Sequence, residues 1–121
     1  MKTPTSLKLQ PLIAALQAEP LTDNVPEAIT GCYISDLLSD VLAHAEPGVL
    51  WLTVQTHRNV VSVAGMKDIA GVLITCGRKP APATIAEADE AGMALLVTPL
   101  STFEAAGRLW EAGLRERNGH E

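Results

Sequence analysis

Polar and basic side chains follow four apolar segments of the sequence, in positions where they could bind an anion. Three of the nine basic residues, Arg58, Arg78 and Lys79, lie directly after two of these segments. Arginine binds a phosphate through two parallel N–H donors, and lysine adds a point charge. If the segments are parallel strands, their carboxyl ends share the edge of the sheet where ligands bind. The predicted ligand-binding residues are Thr56, His57, Arg58, Thr75, Gly77, Arg78 and Lys79.

Each of these residues also has an interpretation that involves neither a ligand nor catalysis. Loops of any α/β domain are polar, so three cations on one edge can arise by chance. His57 beside Arg58 has the chemistry of a general base, but no nucleophile stands at a fixed spacing from it, and a solvated loop histidine is the simpler interpretation. Asp36 is interpreted first as a residue at the start of a helix. We therefore predict no catalytic residue.

Familiar catalytic and metal-binding motifs are absent from the sequence. No two glycines stand two apart, which excludes GxGxxG, and GxxxxGK[ST], GxSxG and HExxH are also missing. His44, His57 and His120 lack ligand spacing, so we expect neither a metal nor a cofactor. Cys32 and Cys76 lie in apolar surroundings and are predicted to be two buried free thiols.

Alternating strands and helices are predicted to position these residues. Short apolar or β-branched runs predict strands at 29–34, 49–54, 70–75 and 94–97. Helical spacing and caps predict helices at 10–18, 36–45, 58–66, 84 to about 91, and after Ser101 to about 114. Alternation of this kind indicates an α/β fold, with a mostly parallel sheet and helices on both faces.

Three helix starts carry recognisable capping residues. Ser35 is predicted to cap the helix at 36–45, and Thr84–Glu87 and Ser101–Glu104 have the spacing of capping boxes. The last helix places Phe103, Ala106, Trp110 and Leu114 on one face, and Trp51 and Trp110 are predicted to lie in the core or at an interface. A stripe of Leu37, Leu38 and Val41 leads us to expect a homodimer.

Composition limits the class of protein. The chain has 121 residues, of which 47% are hydrophobic, which fits one domain spanning 1–121 with about eight N-terminal and six C-terminal residues loose. With 14 acidic and 9 basic residues the net charge is −5, which argues against nucleic acid as the partner. No apolar run is long enough to span a membrane and no signal peptide is recognisable, so the expected location is the cytoplasm.

The stretch QTHRNVVSVAGMKDIAGVLITCGRKP resembles the DRTGG domain, a family named for an Asp-Arg pair and a Thr-Gly-Gly separated by a short helix and strand. Arg58 matches the family arginine, and His57 stands in place of the aspartate. Thr75 and Gly77 match the outer residues of Thr-Gly-Gly, and Cys76 replaces the middle glycine. The ending VTPLSTFEAAGRL also fits, so the similarity covers about residues 28–114.

The resemblance implies a three-layer α/β/α sandwich similar to the N-terminal domain of HPr kinase/phosphorylase. Members of the family are accessory domains of phosphotransacetylases and of pyrophosphatases that carry nucleotide-sensing CBS domains. The resemblance therefore implies a regulatory or assembly role, often as a dimer, without catalysis. The P-loop of the kinase half is missing, so we expect a stand-alone member that is not an HPr kinase.

Three functions follow as hypotheses. The first is a non-catalytic regulatory domain that senses an anionic small molecule such as a nucleotide. The second is a structural module that binds a separately encoded metabolic enzyme. The third is a small enzyme that uses His57 and Arg58.

Overall fold

A computed structural model of the chain describes residues 6–115 and Asn118, and a mixed sheet runs through its centre. The elements within the described residues are, in order, β1 (Leu7–Lys8), α1 (Leu9–Ala15), β2 (Glu19–Pro20), β3 (Ala28–Ile29), β4 (Gly31–Ile34), α2 (Leu38–His44), β5 (Val49–Thr53), α3 (Asn59–Met66), β6 (Gly71–Ile74), α4 (Pro82–Glu90), β7 (Ala94–Val97) and α5 (Thr102–Glu111).

The main sheet has the strand order β2-β7-β6-β5-β4. Strands β4 to β7 are parallel to one another, and the two-residue β2 runs antiparallel to β7 at one edge. A separate antiparallel pair joins β1 to β3. The predicted α/β fold with a mostly parallel sheet is therefore confirmed.

Helices cover both faces of the sheet, which gives three layers. Buried side chains of α2, α3 and α4 pack with Trp51, Val72 and Leu95 on one face. Those of α1 and α5 pack with Leu50, Leu73 and other alternate strand residues on the opposite face. Every residue of β5 and β6 is buried. Coverage on both faces explains why these strands are continuous apolar runs in the sequence.

The central strands match their predicted ranges to within one residue at each end, but the first predicted strand does not. Residues 29–34 divide at Thr30, because Ile29 pairs with Leu7 in the small sheet while Gly31 begins the pairing with β5. The first helix is also shorter than predicted and ends at Ala15, before Gln17 adopts a left-handed backbone with φ of 50°.

The predicted cap of α2 is wrong. This helix begins at Leu38 and has no side-chain cap, while the Ser35 hydroxyl accepts the Leu37 N–H at 3.2 Å in a local turn. The carboxylate of Asp36 lies outside the helix and accepts the Thr53 hydroxyl and the Val54 N–H, both at 2.9 Å. Asp36 thus joins the ends of β4 and β5 and is not a residue of a helix start.

Of the two predicted capping boxes, one is wrong and the other is confirmed as a cap. The helix α4 begins at Pro82, where a missing N–H costs nothing. Thr84 is therefore inside the helix, and its hydroxyl donates to the Thr56 carbonyl at 3.0 Å. Ser101 does cap α5, since its hydroxyl accepts the Glu104 N–H at 3.1 Å.

The last helix buries a different face from the one formed by Phe103, Ala106, Trp110 and Leu114. Its buried residues are Ala105 and Leu109, whereas Phe103 is 87% and Trp110 57% exposed. Leu114, which is buried, lies beyond the helix end. Trp51 is a core residue, whereas Trp110 is not, and an interface role for Trp110 stays a prediction.

The homodimer was predicted from the apolar stripe of Leu37, Leu38 and Val41, and most of this stripe packs inside the molecule. Val41 is fully buried, Leu38 packs against the core, and Leu37 alone of the three is well exposed, at 64%. A homodimer therefore needs another surface, and it stays a prediction.

The ends of the chain fall mostly outside the described residues, so the single domain with loose ends stays a prediction. Leu7 and Lys8, which were expected to be loose, pair with Ile29 and Ala28. Among the described residues no helix has the length and apolar character needed to cross a membrane.

Candidate functional site

The loop after β6 turns sharply away from the sheet at Cys76 and Gly77. Both residues have left-handed backbones, with φ of 64° and 69°. Only glycine adopts this conformation without steric cost, so the cysteine is strained at a position where the resembling family has glycine. The turn places Arg78 and Lys79 at the carboxyl end of the parallel sheet, where both residues are exposed.

Arg78 and Lys79 line a cavity of about 310 Å³ at this edge. Its wall comes from the turn after β6, the end of β7 and the segment between α1 and β2. The lining residues are Gln17, Glu19, Gly77, Arg78, Lys79, Val97, Thr98 and Pro99. Hereafter this is the β7 cavity. A second cavity of about 250 Å³ adjoins it, because Glu19, Lys79 and Val97 line both.

The first backbone N–H groups of the turn at the β7 cavity already donate within the fold, which leaves side chains as the main donors for a ligand. The N–H groups of Cys76 and Gly77 donate to the carbonyls of Leu100 and Thr98, at 2.7 and 3.0 Å. The Thr98 hydroxyl donates to the Leu16 carbonyl at 2.6 Å. A ligand here would therefore be bound by the side chains of Gln17, Arg78 and Lys79, with the carboxylate of Glu19 as an acceptor.

Thr56, His57 and Arg58 line a different cavity, hereafter the α3 cavity, with a volume of about 360 Å³. The start of α4 forms the rest of its wall through Ala81, Ala83 and Thr84. The strands β5 and β6 are neighbours, so Arg58 and Arg78 do share one edge of the sheet. They nevertheless line separate cavities. This arrangement does not favour one anion bound by both arginines.

Two other predicted residues have structural contacts. The His57 ring accepts the Asn59 N–H at Nδ1, at 3.1 Å, which holds the ring at the start of α3. Thr75 is fully buried, and its hydroxyl is 2.6 Å from the hydroxyl of Thr102. Thr75 thus joins β6 to α5 and lines neither of the two cavities.

Sequence reasoning missed Gln17 and Glu19, which line the β7 cavity. They come from the N-terminal part of the chain, which reaches this edge because β2 pairs with β7. The two-residue strand Glu19–Pro20 has no periodicity that a sequence pattern could detect.

The two cysteines are both free but differ in environment. Burial raises the pKa of the Cys32 thiol to about 12. Cys76 is exposed, contrary to the prediction of two buried thiols. Hydrogen bonds from the Thr75 side chain and at Thr102, with a smaller contribution from the charge of Arg78, lower the pKa of the Cys76 thiol below its ordinary value.

We expect a thiol reagent to distinguish the two cysteines. In the native protein Cys76 should react within minutes, because its thiolate is accessible and favoured, whereas Cys32 should react only as the protein unfolds. Ellman's reagent, followed with and without denaturant, measures this. The variant Cys76→Ser should lose the fast phase, and equal rates for both thiols in the native protein would contradict the assignment.

No group of three or more His, Cys, Asp or Glu side chains in residues 6–115 is placed to hold a metal ion. His120 lies outside the described residues.

Comparison with known proteins shows that this chain has a fold similar to that of a solved structure. No protein-family model matches the chain, and no curated protein sequence matches it. A solved structure that is similar contains the CBS and DRTGG domains of the regulatory region of Clostridium perfringens pyrophosphatase, complexed with its activator diadenosine tetraphosphate. The TM-score is 0.67 at 14% identity, and the match covers 84% of this chain and 45% of that one. The chain thus spans less than half of that structure, and the expected DRTGG-like fold is confirmed.

Proposed function

We propose that this chain is a non-catalytic regulatory domain that senses an anionic small molecule, with nucleotides as the leading class. The observation that carries the proposal is the β7 cavity, in which Arg78 and Lys79 lie together at the edge of a parallel sheet. Ligands of open α/β folds bind at this edge. The similar pyrophosphatase region is a regulatory region bound to a nucleotide activator, which supports the same class of ligand.

The composition of the cavity wall favours a ligand with two kinds of group. Arg78 and Lys79 suit a phosphate, whereas Glu19 on the same wall would repel a second anionic group and suits a donor such as an exocyclic amine. Leu21, Pro80 and Ile85 line the adjoining cavity and offer apolar surface. A phosphate joined to a planar amino-bearing base meets these requirements better than a simple polyanion.

A thermal-shift screen of nucleotides and phosphorylated metabolites tests the proposal. A ligand present at 100 times its Kd should stabilise the fold by about 2.7 kcal/mol. For a chain of this size that corresponds to a rise in Tm of about 10 °C. Sodium chloride at the same ionic strength is the control for general salt effects. The absence of a shift with every compound would contradict ligand sensing and favour the module that binds a metabolic enzyme.

The small enzyme remains the other candidate, because His57 and Arg58 line the α3 cavity together. Within the described residues the His57 ring accepts a hydrogen bond from a backbone N–H, and it donates none to a carboxylate that would orient it as in a catalytic pair. If a screen of phosphorylated compounds showed turnover that is lost in His57→Ala, the enzyme would replace the regulatory proposal.

A further inference from the structure

Glu19 lies at the junction between the β7 cavity and the cavity that adjoins it. Three residues, Glu19, Lys79 and Val97, line both cavities. Glu19 is paired with Val97 across β2 and β7, so the backbone of the sheet fixes where the Glu19 side chain begins. A ligand that occupies both cavities therefore passes close to the carboxylate of Glu19 and the ammonium group of Lys79.

The two cavities differ in the chemistry of their walls. In the β7 cavity Gln17, Arg78 and Lys79 bring hydrogen-bond donors, which suit a phosphate. Beyond the junction the adjoining cavity is lined by apolar side chains, those of Leu21, Pro80 and Ile85. An apolar wall suits the face of a planar base. The order of groups along the two cavities is therefore phosphate, junction, base.

The charged groups at the junction are not paired with one another. Glu19, Arg78 and Lys79 are all exposed. Among residues 6–115, none of these three side chains takes part in an ion pair. The carboxylate and the two cations are therefore available to a ligand that carries both an anionic group and hydrogen-bond donors.

We propose that Glu19 is a specificity-determining residue that accepts hydrogen bonds from the two neighbouring hydroxyls of a ribose, so that the site takes ribonucleotides in preference to deoxyribonucleotides. This inference rests on the proposed function, since it needs a nucleotide in the two cavities. Ribose joins the phosphate of a nucleotide to its base, so it is the part of the ligand that lies at the junction. Its hydroxyls are donors, and a carboxylate has two oxygens that accept them.

Position selects the ribose hydroxyls among the donors of a nucleotide. An exocyclic amine is also a donor, but it belongs to the base and is further from the phosphate than the ribose is. With the phosphate beside Arg78, the amine lies beyond the junction, among the apolar side chains of the adjoining cavity. A hydroxyl that donates to a carboxylate forms a charge-assisted hydrogen bond, which is stronger than a neutral one. In dinucleotide-binding α/β folds an acidic side chain accepts from a ribose hydroxyl in the same way.

Calorimetric titration of the full chain with ribonucleoside monophosphates and their deoxy forms tests this inference. The probes are AMP, GMP, CMP and UMP and the corresponding deoxyribonucleotides, at up to about 10 mM. The wild type should bind at least one of the ribonucleotides about tenfold more tightly than the deoxyribonucleotide with the same base, because deoxyribose has lost one donor to a charged acceptor.

The variant Glu19→Ala should bind the two forms with affinities within about twofold of each other. The ratio of the two affinities is the decisive measurement, because the loss of a negative charge near the phosphate changes both affinities alike. Folding should be preserved, since Glu19 is exposed and β2 pairs with β7 through its backbone. Thermal unfolding without ligand checks this.

Glu90→Ala is the matched control, because it removes an exposed glutamate that lines neither cavity. It should keep the preference of the wild type for ribose. Equal affinities of the wild type for the two forms, or a preference that survives in Glu19→Ala or is lost in Glu90→Ala, would overturn the role of Glu19.

Failure of this inference can be told apart from failure of the proposed function. A wild type that binds other phosphorylated metabolites but none of these nucleotides would overturn the ribose assignment and leave anion sensing intact. The proposed function itself fails only if no compound in the thermal-shift screen stabilises the fold.

Discussion

The variant Leu73→Asp is expected to be unfolded at 25 °C. Leu73 lies at the centre of β6 and is fully buried between Leu52 and Leu96 of the neighbouring strands. A carboxylate at this position would lose its hydration without gaining a partner, and it would also leave the packing volume of the leucine unfilled. The expected loss exceeds about 4 kcal/mol, which is comparable with the whole stability of a small domain.

Circular dichroism and the near-UV signal of the buried Trp51 measure this outcome. Leu37→Asp is the matched control, since it makes the same chemical change at a leucine that is 64% exposed. We expect Leu37→Asp to unfold cooperatively with a free energy within about 1 kcal/mol of wild type. A cooperatively folded Leu73→Asp with an intact Trp51 signal would contradict the placement of β6 at the centre of the sheet.

The variant Arg78→Ala is expected to lose most of the affinity for the anion that gives the largest shift in the screen. A hydrogen bond to a charged group contributes roughly 1.5–3 kcal/mol, so affinity should fall about 10- to 100-fold. Folding should change little, because Arg78 is exposed and removing an exposed charge has a small effect on stability. Calorimetric titration gives the affinity, and thermal unfolding without ligand gives the stability.

Arg58→Ala is the control for this prediction, because Arg58 lines the α3 cavity on the same edge of the sheet. We expect its affinity for the anion to stay within about twofold of wild type. Loss of binding in Arg58→Ala alone would move the site to the α3 cavity. Equal losses in both variants would indicate one anion site shared by the two arginines, and no loss in either would contradict an anion site at this edge.

Much of the fold is readable from the sequence because the central strands are buried on both faces. The ranges 49–54, 70–75 and 94–97 are apolar at almost every position, and the structure places strands there to within one residue at each end. The cap at Ser101 was predictable for a local reason, since the hydroxyl and the N–H that it accepts are only three residues apart.

Two predictions failed where a residue's partner is distant in sequence. Asp36 and Thr84 both have types and positions that favour the start of a helix. Asp36 instead bonds to Thr53 and Val54, and Thr84 bonds to Thr56, 28 positions away. A side-chain oxygen can form hydrogen bonds with many different partners. Which partner it has depends on which strands lie next to each other.

For the candidate site, the sequence was enough to place Arg58, Arg78 and Lys79 at the carboxyl edge, because a residue that follows a parallel strand must lie there. Which of these cations share a cavity depends on how the loops pack, and it could not be read from the sequence. Arg78 and Lys79 lie together because they are adjacent in one loop, whereas Arg58 follows a different strand and lines a different cavity. The remaining wall, Gln17 and Glu19, comes from a segment that pairs antiparallel with β7 some 75 residues later in the chain. The exposure of Phe103 and Trp110 on α5 could likewise not be read from the sequence, because helical periodicity shows that residues share a face but not whether that face meets the core or the solvent.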